Sequence, residues 1–66
     1  MMTRVQIIAT IWNYLKDIEF QANFDDTASK RTMDILATKV RVYLEVLEDE
    51  DIPYDMALLM SKLHIN

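Results

Sequence analysis

The sequence predicts an all-α protein, a small three-helix bundle. Glycine is absent and there is a single proline, so the chain lacks the residue that forms tight left-handed turns most readily. Apolar side chains recur at spacings of three and four residues over three segments, which is the pattern of amphipathic helices. The longest of these segments is apolar on two opposite faces, so we expect it to be covered on both sides.

A chain of 66 residues is long enough for one domain, and we assign residues 1–66 to a single helical unit. Its helices are predicted at about 3–22, 27–50 and 53–64. Domains of this size bury only about 60% of the surface that the unfolded chain exposes. They often need disulfides, a metal or self-association for stability. Because the sequence has no cysteine, disulfides and thiolate metal sites are excluded, and we expect self-association.

The first helix is predicted to begin at Thr3. The Thr3 hydroxyl can accept a hydrogen bond from the amide of Gln6 while the glutamine side chain reaches back, which is the pattern of a capping box. The helix has a wide apolar face with Ile7 and Tyr14 along one edge. The centre of that face is predicted to contain Val5, Ile8, Ile11, Trp12, Leu15, Ile18 and Ala22. We interpret Trp12 as a core or interface anchor, because an indole ring offers a large apolar area.

The segment from Asn23 to Thr27 interrupts the helical pattern and predicts a short connection. Asp26 or Thr27 is expected to cap the second helix, since both side chains can accept from free backbone amides. A short connection makes the two helices antiparallel neighbours, so they should form a hairpin. Phe20 and Phe24 lie close to this connection, and we expect them to close its end as part of the core. The alternative is that Phe20 belongs to a partner-binding surface.

The second helix carries two apolar stripes, assigned at about 100° per residue. The broad stripe contains Met33, Leu36, Ala37, Val40, Tyr43, Leu44 and Leu47. Nearly opposite lie Ile35, Val42 and Val46, which a single small chain cannot easily cover. We assign these three residues to self-association, as a homodimer or a higher oligomer.

The second helix runs into four acidic residues and then into the start of a third helix. The acidic residues are Glu48, Asp49, Glu50 and Asp51. Carboxylates near a helix C-terminus oppose the helix dipole, so this end is expected to fray. Pro53 ends the straight continuation and fits the first turn of the next helix. That helix is apolar on one face at Met56, Leu59, Met60 and Leu63, and on another at Tyr54, Leu58 and Ile65.

The acidic junction and the third helix are predicted to meet a protein partner. The predicted contact residues are Glu48, Asp49, Glu50, Asp51, Tyr54, Leu58 and Met60. Residues 45–55 contain six acids and no base, which favours a partner with a basic surface. The simpler interpretation is that dimerisation covers the apolar side chains and that the acids keep the protein soluble.

The residues that catalysis needs are scarce. His64 is the only histidine, and we interpret it as a helix-end residue favoured by the dipole rather than as a metal ligand. Ser29 and Ser61 lack a neighbouring base and orienting acid. Glu19 is expected to lie beyond the edge of the core or to pair with a cation such as Lys16. We therefore expect no enzyme activity, no catalytic residue, no cofactor and no metal.

Direct binding to DNA is also not expected. The third helix would have to enter the groove, and it offers only Ser61, Lys62 and His64 as polar contacts beside Asp55, whose carboxylate repels phosphate. No apolar run approaches the roughly 20 residues that cross a bilayer. The first residues lack the uninterrupted apolar core of a secretory signal. These patterns lead us to expect a cytoplasmic protein without a membrane segment.

The expected function is that of a small non-enzymatic protein–protein interaction module. Such a module would be a regulator or inhibitor that docks on a larger protein, because apolar helical faces with Tyr, Trp and Met suit partner interfaces. One alternative is an acidic mimic of nucleic acid that blocks a nucleic-acid-binding enzyme. Another is a structural subunit of a larger assembly, which the sequence does not separate from the first.

Overall fold

Three α-helices form a small bundle in the computed structural model, which describes residues 2–47 and 52–65. Helix α1 spans Arg4–Gln21, α2 spans Thr27–Leu47 and α3 spans Tyr54–Lys62. Helix α1 packs mainly against α2 in a hairpin, and α3 contacts α1. The predicted all-α class and the three-helix organisation are confirmed.

The helix bounds lie close to the predicted ones. Helices α1 and α3 are shorter than predicted by one or two residues at each end, and α2 begins at Thr27 as expected. The four acidic residues that follow Leu47 lie outside the described residues. The predicted end of the second helix, and the fraying expected there, therefore remain predictions.

Both predicted helix starts are confirmed by hydrogen bonds. The Gln6 amide donates to Thr3 Oγ1 at 3.2 Å, and the Thr3 amide donates to Gln6 Oε1 at 2.8 Å. At α2 the Ser29 amide donates to a carboxylate oxygen of Asp26 at 2.6 Å, so Asp26 rather than Thr27 is the cap. Each cap satisfies an amide that the helix itself leaves without a partner.

The Asp26 cap makes the stability of α2 depend on pH. Hydrogen bonds from the backbone and side chain of Ser29 lower the pKa of Asp26 below its ordinary value. A carboxylate with a lowered pKa in the folded state stabilises the fold above its unfolded pKa, and the contribution is lost as pH falls through the lowered value. We expect Asp26→Asn, which keeps a cap acceptor, to melt near the wild-type temperature at neutral pH and to lose less stability below about pH 4.

Thermal melts of both proteins over this pH range test the cap. Asp17→Asn, at an exposed position on α1, is the control and should follow the wild-type curve. Wild-type and Asp26→Asn curves that stay parallel down to the acid limit would contradict the role of Asp26.

The core lies between α1 and α2 and is closed on one side by α3. Its buried residues are Ile7, Ile11, Leu15, Ile18, Leu36, Val40, Leu47, Met56, Met60 and Ile65. Trp12 is half-buried and packs against this cluster, as expected for an anchor at its margin. The broad stripe of α2 is thus confirmed as the side that faces the core.

The apolar face of α1 is wider than the surface that its neighbours cover. Val5, predicted at the centre of that face, is 76% exposed, whereas Ile7, predicted at its edge, is buried. The two side chains point about 160° apart around the helix, so packing against α2 through Ile7 leaves Val5 in solvent. Ala22 caps the C-terminal end of the helix and is also exposed, because it lies beyond Ile18, the last buried residue of α1.

Helix α3 ends in a turn that normally uses glycine. His64 has a positive φ of 60°, which is the left-handed conformation that a side chain with a Cβ disfavours. The Ile65 amide donates to the carbonyl of Met60 at 2.9 Å, and the His64 amide donates to the carbonyl of Ser61 at 3.1 Å. This pair of bonds defines a Schellman motif, in which His64 occupies the glycine position. The motif brings Ile65 back onto the core.

We expect His64→Gly to raise the free energy of unfolding by about 1 kcal/mol, since glycine adopts the left-handed conformation without strain. His64→Ala keeps the Cβ and serves as the control, which should bring no gain. Urea denaturation at one protein concentration measures the difference. A loss of stability in the glycine variant would show that the histidine side chain contributes more than its backbone conformation costs.

Candidate functional site

The predicted docking residues of α3 fall on two different sides of the helix. Tyr54 and Leu58 lie one turn apart on the outer side, where they are 75% and 51% exposed. Met60 was expected to join them, but it is only 8% exposed and belongs to the core. It lies one turn after Met56 and therefore shares the inward side of the helix. Met60 is thus a core residue of the single chain rather than an exposed anchor.

The outer surface of α3 combines apolar and acidic groups. Asp55 is exposed in the first helical turn, where a carboxylate also interacts favourably with the helix dipole. Tyr54 and Leu58 form an apolar ridge beside it. The predicted acidic contacts Glu48, Asp49, Glu50 and Asp51 precede α3 in the sequence and lie outside the described residues.

A second exposed apolar surface lies on α2. We call Ile35, Val42 and Val46 the apolar row, since all three lie within a narrow sector of the helix. They are 52%, 53% and 57% exposed, so packing within the single chain leaves about half of each side chain in solvent. The exposure agrees with the pattern that led us to assign these residues to self-association, which itself remains a prediction.

Phe20 and Phe24 form a third exposed surface, and the prediction that they close the core is wrong. Phe20 is 58% exposed, and its ring lies edge-to-face against that of Phe24 with 5.2 Å between centroids. Phe20 projects about 180° away from Ile11 around α1, so it cannot reach the core. The two rings cover one another at the connection between α1 and α2 instead.

An open groove of about 400 Å³ lies between α1 and α2, and the sequence did not reveal it. It is lined by Tyr14, Thr38, Lys39, Val42 and Tyr43. The two tyrosine rings are 5.9 Å apart between centroids, and Lys39 Nζ lies 5.7 Å from the centroid of Tyr14. The groove depends on how two helices are placed side by side, so no spacing within one helix predicts it.

Glu19 and Ser29, which were considered for catalysis, take part in contacts that stabilise the fold. Glu19 lies 3.8 Å from Lys16 Nζ and 3.8 Å from Lys62 Nζ, which confirms pairing with a cation and links α3 to α1. Ser29 is buried, and it supplies the hydrogen bonds that hold the Asp26 cap. Across residues 2–47 and 52–65, histidines and acids form no group of three or more that can hold a metal.

No helix among the described residues combines the length and apolar character that crossing a membrane requires. Comparisons with protein-family models, with characterised proteins and with solved structures find no significant match to this chain. The function of the chain must therefore be inferred from its own residues and their geometry.

Proposed function

We propose that this chain is a small protein–protein interaction module, a regulator or inhibitor that docks on a larger protein through α3. The observation that supports this proposal is the exposed ridge of Tyr54 and Leu58 beside Asp55. We expect the acidic residues that precede α3 in the sequence to take part in the same contact. The Phe20 and Phe24 pair lies at the connection between α1 and α2 and is not part of the proposed contact.

The ridge has the chemistry of a helix that lies in a groove. Side chains four positions apart on a helix face the same way and enter one groove of a partner. Burial of Leu58 contributes about 1.5–3 kcal/mol before entropy is counted, and tyrosine is among the residues that most often dominate interfaces. Since residues 45–55 contain six acids and no base, we infer a partner whose apolar groove is bordered by lysine or arginine.

A second candidate is an acidic mimic of nucleic acid that occupies the binding cleft of a nuclease or polymerase. The excess of acids over bases in residues 45–55 supports it. The two candidates differ in salt dependence. Contacts that replace phosphates weaken steeply as salt rises, whereas apolar docking through Tyr54 and Leu58 keeps most of its affinity.

The test compares proteins captured from a lysate by tagged variants, identified by mass spectrometry. We expect the partner to bind wild type and Val5→Ala, which removes an exposed apolar side chain from α1, and to be lost with Tyr54→Ala combined with Leu58→Ala. Equal capture by all three proteins would contradict docking through α3.

The affinity of the captured partner is then measured at low and high salt. Replacing Glu48, Asp49, Glu50 and Asp51 with lysine should weaken binding and flatten its salt dependence, with helix content unchanged. Affinity that is unchanged by this reversal at every salt concentration would exclude both the acidic contact and the mimic.

A further inference from the structure

A row of alternating charges follows the apolar row along one side of α2. Its members are Arg31, Asp34, Thr38, Arg41 and Glu45, which we call the charged row. The spacing of three and four residues keeps them on one side of the helix. All five are exposed, and none of the four charged members forms an ion pair with another described residue.

We propose that the apolar and charged rows bind a second copy of this chain, with the two α2 helices antiparallel about a twofold axis near Thr38. In this arrangement Ile35 of each copy faces Val42 of the other, so the centre of the contact is apolar. Val46 of each copy comes level with Arg31 of the other and can pack against the apolar stem of that side chain at both ends. A twofold axis makes every such contact occur twice.

The charged row is complementary to itself when its direction is reversed. Arg31 and Glu45 each lie seven positions from Thr38, on opposite sides of it. Asp34 lies four positions before Thr38 and Arg41 three positions after it. An antiparallel pair brings the same side of both helices together, so Arg31 faces Glu45 of the second copy and Asp34 faces its Arg41. Opposite charges therefore meet on both sides of Thr38.

A parallel pair does not produce this match. Parallel helices bring opposite sides together, so the charged row would meet Thr32, Lys39 and Tyr43 of the second copy. None of these is acidic, and Lys39 would repel Arg41. The alternation of charge thus selects the antiparallel arrangement and the register that places Thr38 at its centre.

This arrangement brings Lys39 of one copy close to Lys39 of the other. Lys39 lies on the other side of the apolar row, where the two Lys39 residues come level across the axis. Lys39 Nζ is held 5.7 Å from the Tyr14 ring centroid, which directs the ammonium group toward α1 and away from the second copy. The cation–π contact thereby reduces the repulsion at the centre of the dimer.

The surface lies on α2, whereas the proposed docking ridge lies on α3. Self-association therefore does not depend on the proposed function.

Charge reversal combined with mixing tests the arrangement by sedimentation equilibrium. Arg31→Glu places a second carboxylate against Glu45 of the other copy, and Glu45→Arg places a second guanidinium against its Arg31. Each variant alone should therefore self-associate about tenfold more weakly than wild type or worse. In a heterodimer of the two variants, the wild-type pair of Glu45 and Arg31 forms at one end. The two introduced residues, which also have opposite charges, meet at the other end. We expect the mixture to form a heterodimer with an affinity near that of the wild-type dimer.

The double variant, with both reversals in one chain, should also regain self-association. Asp17→Arg on the exposed side of α1 is the control and should dimerise as wild type does. A wild-type protein that remains monomeric, or single variants that dimerise as tightly as wild type, would overturn the proposal. Single variants that weaken but do not recover on mixing would equally overturn the antiparallel register.

Discussion

Leu15→Ala is expected to lower the free energy of unfolding by about 2–5 kcal/mol, because it removes a fully buried side chain and leaves a cavity. Leu15 is completely inaccessible to solvent at the centre of α1. A core in a domain this small rarely supplies more than about 3–5 kcal/mol. The substitution should therefore leave a large fraction of the chain unfolded at room temperature.

Val5→Ala is the matched control, since it shortens another apolar side chain of α1 that is exposed to solvent. We expect it to change stability by less than about 0.5 kcal/mol. Urea denaturation followed by circular dichroism measures both variants. Similar midpoints for the two would show that the packed side of α1 is not the one described.

Val42→Glu is expected to convert the proposed dimer into a 7.8 kDa monomer without loss of helix. Val42 is 53% exposed in the single chain, so a carboxylate there stays in contact with water and does not disturb the core. In the proposed antiparallel dimer, each of the two new carboxylates would face Ile35 of the other copy. Burial of an unpaired charge there is costly. The expected result is dissociation at micromolar concentration.

Sedimentation equilibrium and circular dichroism together check this outcome. Val5→Glu places the same new charge at an exposed valine of α1 and should leave the dimer intact. Loss of helix in Val42→Glu would mean that Val42 belongs to the core, and a variant that remains dimeric would show that the apolar row is not the contact.

The helices and their first turns were predictable because they depend on neighbours in the sequence. The Thr3 and Gln6 capping box and the Asp26 cap involve groups three positions apart, so composition and spacing identify them. The direction in which each apolar residue faces was predictable for α2, where the two stripes are nearly opposite. These parts of the fold needed no knowledge of how the helices pack.

The predictions of which side chains are buried were wrong where an apolar face was wider than the surface that covers it. Val5 and Phe20 both look like core residues by composition. For Val5, only the line along which α1 meets α2 shows that it is exposed. For Phe20, the angle of about 180° from Ile11 was a sufficient signal. Met60 was placed on the same face as Met56 by the helical pattern, and assigning it also to the partner contact disregarded that placement.

The exposed surfaces were predicted in part. Tyr54 and Leu58 on α3, and the apolar row on α2, lie where the helical pattern placed them. The groove between Tyr14 and Tyr43 was missed because it forms only when two helices are brought together.

We expect the limited attachment of α3 to give the bundle two levels of stability. Among the described residues α3 approaches α1 and not α2, and it is less than half as long as α2. Such an element can open as a separate cooperative unit while the rest stays folded. Amide hydrogens of α3 should accordingly exchange with solvent sooner than those of α1 and α2. A partner bound to its outer ridge would slow that exchange, and binding would then stabilise the core through the fully buried Met56.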